Sequence, residues 1–222
     1  FSMPSMTATD GTPCNAAYGF ANTLIRYATE EDPTHAGVCF DAAMTSFRNE
    51  LEPEYKAQRG ETPEELEPQF DLCHEIAIAL GFAVYEVDDY EADDLLGTVA
   101  AEVVKRKGRA RVITTDKDLC QLVREDGRVH VYDLAKEKTF DADAVREKFG
   151  VSPHQIPDYL GLVGDTVDNL PGVPGIGAKS AAAVLQAFPT IEEVPDDVDE
   201  WEGVTVRGAK RMAEKISEHR AR

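Results

Sequence analysis

The strongest constraint on this chain is an alternation: along its first two thirds, short apolar stretches of strand character are separated by stretches of helical length. Cys14 to Ala28 is helix-like, and His35 to Phe40 is a short apolar strand candidate ending at Asp41. Residues Gln69 to Leu80 are helical, with Pro68 delaying the start that Thr62, Pro63 and Glu65 announce. Phe82 to Val87 reads as strand. Glu91 to Lys107 reads as an amphipathic helix with Leu95, Leu96, Val99 and Val103 on one face, and Arg111 to Thr115 and Val129 to Tyr132 as strands. Strands spaced by such helices form βαβ units, which implies an α/β fold: a mostly parallel sheet flanked by helices, with ligands gathering beyond the carboxyl ends of the strands.

The pattern changes after Gly150. Ser152, Pro153 and Gln155 make a helix start with a cap, an N1 proline and a capping-box partner, and Ile156, Leu160 and Val163 follow at helical spacing. Ala178 to Phe188 and Val206 to His219 are further helix candidates, and no strand signal appears. The reading is therefore an α/β core over residues 1–150 and a helical annex over 151–222. At 42% hydrophobic residues the chain supports a packed core. Its longest apolar run, Ile76 to Tyr85, is about half of the ~18 residues a membrane span needs, so the expectation is a soluble, cytoplasmic protein with no membrane partner. The four cysteines Cys14, Cys39, Cys73 and Cys120 are too far apart for a metal knuckle and read as reduced core thiols.

Forty-two acidic residues against 23 basic ones give a formal charge of -19, which by itself argues against a polyanionic partner. The placement of the carboxylates changes that argument. Asp41 follows the first strand candidate, Glu91, Asp93 and Asp94 the second, and Asp116 and Asp118 the third, so all six should collect at one sheet edge. Singly, each has a bland reading as a turn opener or helix cap. Together, so many like charges cost several kcal/mol unless cations sit between them. Oxygen-only ligation suits Mg²⁺ or Mn²⁺, and two such ions would stabilise the attacking and leaving oxygens of a phosphodiester displacement.

The annex adds Asp165 and Asp168, followed by Gly172-Val173-Pro174-Gly175-Ile176-Gly177, a hairpin between helices. Gly172, Gly175 and Gly177 would let backbone N–H groups approach a phosphate, with Lys179 near the following helix start. Such a loop grips a nucleic-acid backbone without reading bases. The alternative is a tight turn with packing glycines.

Glu91-Ala92-Asp93-Asp94, Thr115-Asp116-Lys117-Asp118 and the run from Gly164-Asp165 through Asp168 to Gly177 resemble the 5′-3′ exonuclease and flap endonuclease family, which includes the 5′ nuclease domain of bacterial DNA polymerase I. The resemblance runs from about Phe1 to Arg211. It implies a PIN-like (Rossmann-like) core, a helical arch over about residues 44–70, and a helix-hairpin-helix (helix-3-turn-helix) annex. It implies a two-metal hydrolase that cuts DNA at 5′ flaps, nicks or single-stranded 5′ ends in replication and repair, as a monomer, with K⁺ expected at the hairpin. Asp41, Glu91, Asp93, Asp94, Asp116, Asp118, Asp165 and Asp168 match the family's acidic ligands.

By the same resemblance, Arg48, Tyr55, Lys56 and Arg59 lie at the arch base. Lys56 and Arg59 would stabilise developing charge, and Tyr55 would stack on a base. Without the resemblance, Lys56 and Arg59 read as an ordinary solvated loop. Arg207 and Lys210 resemble a duplex-contacting element. The family's opening strand, ending in Asp-Gly, has no counterpart here, so a trimmed N-terminus is expected; with no polymerase segment after its last helix, the chain reads as a stand-alone nuclease. Two other readings stay open: a module that binds branched DNA without cutting it, and a PIN-type ribonuclease.

Overall fold

The computed structural model describes residues 3–201, 204, 206 and 208–220. The chain divides into two compact units, one of Phe1–Phe47 and Arg59–Leu95, the other of Arg48–Gln58 and Leu96–Arg222.

In the first unit, α1 (Asn15–Glu31) packs on α3 (Glu67–Ala79), and β1 (Gly37–Cys39) pairs in parallel with β2 (Ala83–Tyr85). No side chain of its own caps α1. Gln69, at 0% exposure, does so from α3: its Oε1 accepts from the backbone N–H groups of Ala16 at 2.7 Å and Ala17 at 3.2 Å. Its Nε2 donates to Asn15 Oδ1 and to the Glu65 carbonyl, so every polar atom of this buried amide is satisfied. The segment expected to form the arch divides between the units: all but the first residue of α2 (Phe47–Leu51) and a run of turns over 53–58 belong to the second unit, and the first residues of α3 to the first.

The helix α4 (Ala92–Lys105) begins in the first unit and continues in the second, where β3 (Ala110–Ile113) pairs in parallel with β4 (Val129–Asp133). β5 (Lys138–Phe140) then adds to β4 antiparallel, and α5 (Ala142–Phe149) follows with Asp141 as its N-cap, accepting from the Ala144 N–H at 2.9 Å. Sequence periodicity had marked neither; three residues with two exposed polar side chains carry no strand signal. The capping box at Ser152 and Gln155 forms as expected before α6 (Ile156–Val163).

The expectation of no strand after Gly150 is corrected by β6 (Gly164–Asp165) and β7 (Leu170–Pro171), an antiparallel pair too short for any alternation to reveal. Beyond it lie α7 (Ala178–Ala187) and α8 (Ala209–His219). Leu162, Val184, Leu185, Ile216, Val131 and Val145 anchor one continuous apolar core in this unit.

The cysteines are all free, but only Cys120 is buried, because the others lie on partly open faces of the smaller unit. Among the described residues no helix is long and apolar enough to cross a membrane.

Candidate metal centre and nucleic-acid interface

In the first unit the acidic residues gather where β1 ends and α4 begins. Asp41 Oδ1 accepts from the Ala92 N–H at 2.6 Å, which ties the strand end to the helix start and places a carboxylate at the positive end of the helix. Glu91 Oε1 accepts from Ser46 Oγ at 2.9 Å, and the Glu91 N–H donates to Asp94 Oδ2 at 3.1 Å. Asp93 lies near the Cys39 thiol; burial first, and then the Asp93 charge, push that thiol up to about 11.

The second unit carries the other four carboxylates. Beyond β3 the chain turns on its own side chains: the Asp116 N–H donates to Thr114 Oγ1 at 3.0 Å, and the Asp118 N–H to Asp116 Oδ1 at 2.8 Å. This aims Asp118 inward, where its Oδ1 is buried with no hydrogen-bond partner among the described residues. Burial, then the charges of Asp116 and Asp165, push its carboxyl up to about 7, against a smaller opposing pull from Lys117.

Asp165, 3% exposed, is held by donors on both oxygens: Lys117 Nζ at 2.9 Å from Oδ2, and the Val167 N–H at 2.7 Å from Oδ1. Burial pulls this carboxyl up, but those hydrogen bonds outweigh it and leave it below its ordinary value. Asp168 Oδ2 accepts from the Tyr55 hydroxyl at 3.2 Å, and its Oδ1 is 3.9 Å from Lys56 Nζ.

Among the described residues no group of three or more His, Cys, Asp or Glu side chains closes to metal-holding distance. The carboxylates repel one another, and Asp41, Asp165 and Asp168 have instead taken donors from the protein: the Ala92 N–H, the Lys117 ammonium and the Tyr55 hydroxyl. The donor set still fits a hard divalent ion: all ligands are oxygens, and Asp118 presents a buried oxygen that none of the described residues satisfies.

The segment that holds Lys56 is fixed by backbone as well as side chain. The Lys56 N–H donates to the Asp168 carbonyl at 3.0 Å, Gln58 Nε2 to the Val167 carbonyl at 2.8 Å, and Asn169 Nδ2 to the Glu54 carbonyl at 2.6 Å. Lys56 itself sits at φ 55°. The Tyr55 ring is 5% exposed, so the expected stacking on a base is corrected to an anchoring position beneath Asp168; an aromatic ring with both ends packed presents no face to a base. Arg48 is half-buried in α2, and Arg59 is exposed in the first unit.

In the hairpin, Val173 and Ile176 plug into the core, and the Val173 N–H donates to the Leu162 carbonyl at 2.9 Å. Gly172 proves to be a packing glycine: a Cβ there would meet the Val163 carbonyl carbon at 2.3 Å. Gly175 adopts φ 86°, and Gly177 is the open N-cap of α7, with exposed Lys179 in the first turn. Lys210 is exposed in the first turn of α8, while Arg207 lies outside the described residues. The sequence reading missed Lys117, though it lies between two of its chosen carboxylates, and Lys215, whose ammonium donates to the Pro174 carbonyl from α8 with no local signal to mark it.

Comparison with known proteins matches this architecture along its length. The family model described as the 5'-3' exonuclease N-terminal resolvase-like domain covers residues 1–150, and that of the 5'-3' exonuclease C-terminal SAM fold covers 151–222. DNA polymerase I of Bacillus caldotenax is 41% identical over 225 residues, covering 99% of this chain and 25% of that protein. DNA polymerase I of Bacillus subtilis (strain 168) is 38% identical over 220 residues, covering 98% of this chain and 24% of that protein. The chain thus spans about a quarter of the length of these curated relatives. Among solved structures, T5 5'-exonuclease with bound divalent metal ions (zinc) superposes with a TM-score of 0.72 at 22% identity, over 91% of this chain and 76% of that one. A T5 flap endonuclease complex with DNA and metal ions gives 0.67 at 20% identity, over 91% and 78%. A resolvase-like α/β domain followed by a helical SAM-fold domain is therefore the fold, and the chain belongs to the 5'-3' exonuclease family.

Proposed function

We propose that this chain is a structure-specific 5′ nuclease that hydrolyses DNA phosphodiester bonds at 5′ flaps, nicks and single-stranded 5′ ends. The observation that carries this reading is the buried, unpartnered Asp118 oxygen beside Asp116, Asp165 and Asp168 in a chain of this family. Asp116, Asp118, Asp165 and Asp168 in one unit, and Asp41, Glu91, Asp93 and Asp94 in the other, are the residues that would hold two Mg²⁺ or Mn²⁺ ions. Held by those carboxylates, divalent ions would supply Lewis-acid charge compensation for a phosphodiester displacement.

The rest of the work falls to the chain's own groups. Lys56, fixed against Asp168, and Arg59 offer positive charge to the phosphate being cut. The 172–177 hairpin and Lys179 grip the duplex backbone, with Lys210 and Arg207 extending that surface. K⁺ at the hairpin is an expectation of the family resemblance, and in the structure the Lys215 ammonium donates to the Pro174 carbonyl there. Residues 1–150 are read as the nuclease core and 151–222 as the DNA-gripping annex, a division supported by the bounds of the two family matches, and the protein is read as a monomer.

Incubation with a 5′-flap oligonucleotide and Mg²⁺ tests the proposal. Cleavage that disappears with EDTA and in the Asp116→Ala plus Asp118→Ala variant is expected. Flap binding without cleavage by the wild type, or undiminished cleavage by that variant, would refute it.

A further inference from the structure

Lys117 stands between the two carboxylates of the Asp116-Lys117-Asp118 turn, yet its side chain reaches across to Asp165, 48 residues away, at 2.9 Å. The two partners are unequal. The Lys117 side chain is 40% exposed and that of Asp165 3%. Asp165 Oδ1 is pinned by the Val167 N–H at 2.7 Å, and Asp165 belongs to the β6–β7 pair, so the carboxylate cannot follow the ammonium into water. The ammonium, on a flexible four-carbon stem, can leave. The charges of Asp116 and Asp118 also bear on it, so one lysine serves three carboxylates that would otherwise face one another unscreened.

We propose that Lys117 is a displaceable internal cation: it holds Asp165, Asp116 and Asp118 together while no divalent ion is present, and it gives up Asp165 when one binds. This rests on the divalent-ion reading above and adds to it a positioning residue that competes with the metal. A structural lysine that merely braced a loop would stay on Asp165 whether or not metal were present. A displaceable one makes the metal-free fold more stable and the metal affinity weaker, two effects of opposite sign on one residue.

Mn²⁺ binding measured by titration calorimetry on the wild type, Lys117→Met and Lys117→Arg, together with melting in EDTA, separates these roles. Removing one positive charge at contact distance in a partly wet site should tighten Mn²⁺ binding by about tenfold or more. Lys117→Met is expected to bind Mn²⁺ that much tighter and to melt earlier than wild type in EDTA, whereas Lys117→Arg melts like wild type there. Equal or weaker Mn²⁺ affinity in Lys117→Met overturns the proposal while leaving the divalent-ion reading intact. No Mn²⁺ binding by either protein overturns both.

Should Lys117→Met not fold in EDTA, the wild type decides. The Lys117 ammonium resonance, followed by ¹⁵N NMR, should be protected from solvent exchange in EDTA and lose that protection as Mg²⁺ is added. Protection that persists at saturating Mg²⁺ overturns the proposal.

Discussion

Gly172 and Gly177 are two glycines of one hairpin motif, yet the structure gives them opposite tolerances. A Cβ on Gly172 would lie 2.3 Å from the Val163 carbonyl carbon, 2.4 Å from the Gly164 nitrogen and 2.5 Å from the Val163 oxygen. All three are backbone atoms, so no side-chain rotation relieves the overlap; the strands β6 and β7 must separate by roughly an ångström to restore ordinary contact. Overpacking of this kind costs about 1–3 kcal/mol. Opening the Gly164–Pro171 and Asp165–Leu170 register threatens the neighbouring Val173 to Leu162 hydrogen bond as well, at about 1 kcal/mol per bond lost. Gly172→Ala should therefore destabilise by about 2–4 kcal/mol, which for a chain of this size lowers Tm by on the order of 10 °C.

Gly177 has no heavy atom within 4 Å of such a Cβ and sits at φ −105°. Gly177→Ala should cost less than about 1 kcal/mol, the difference between glycine and alanine as an N-cap. Thermal unfolding followed by circular dichroism, in EDTA to exclude metal effects, measures both. A Gly172→Ala protein melting within about 2 °C of wild type, or a Gly177→Ala protein falling as far as Gly172→Ala, would refute the packing argument.

Three further outcomes follow from the charges and packing around these sites. Asp118 releases its proton near the ordinary 3.8 when unfolded but only at about 7 when folded, so its ionisation takes stability away as pH rises between those values. Asp118→Asn should accordingly raise the Tm of the metal-free protein at about pH 8 and leave it unchanged at about pH 4; a gain of equal size at both ends would contradict the assignment. Tyr55→Phe removes the hydroxyl that donates to Asp168 and should cost about 1–2 kcal/mol in urea unfolding; no change would mean that this contact contributes nothing to the fold. Leu162→Ala, at a position with 0% exposure, should cost about 2–5 kcal/mol, read from the urea midpoint at unchanged slope.

The elements legible in the sequence were those whose signal is local and repeated. Periodicity marked α1, α3, α4, α6, α7 and α8 and the four strands that pair in parallel, because a buried helix face or strand needs a run of apolar residues wherever the rest of the chain goes. The positions of Asp41, Glu91, Asp116 and Asp118 at strand ends followed from the same pattern, since chain order in a βαβ unit fixes which end each turn occupies.

Other features depended on partners remote in sequence. The β6–β7 pair is too short to have a period, and Gln69 reveals its capping of α1 only once two helices more than fifty residues apart are packed. The resemblance implied that Tyr55 stacks on a base, and only the folded position of Asp168, 113 residues on, shows it as a buried anchor. Sequence alone thus determined which residue types occur and on which turn, because hydrophobic periodicity and turn chemistry act within a few residues. Tertiary structure decided which donor each carboxylate takes, because the free energy of a buried charge depends on every group that surrounds it, however distant along the chain.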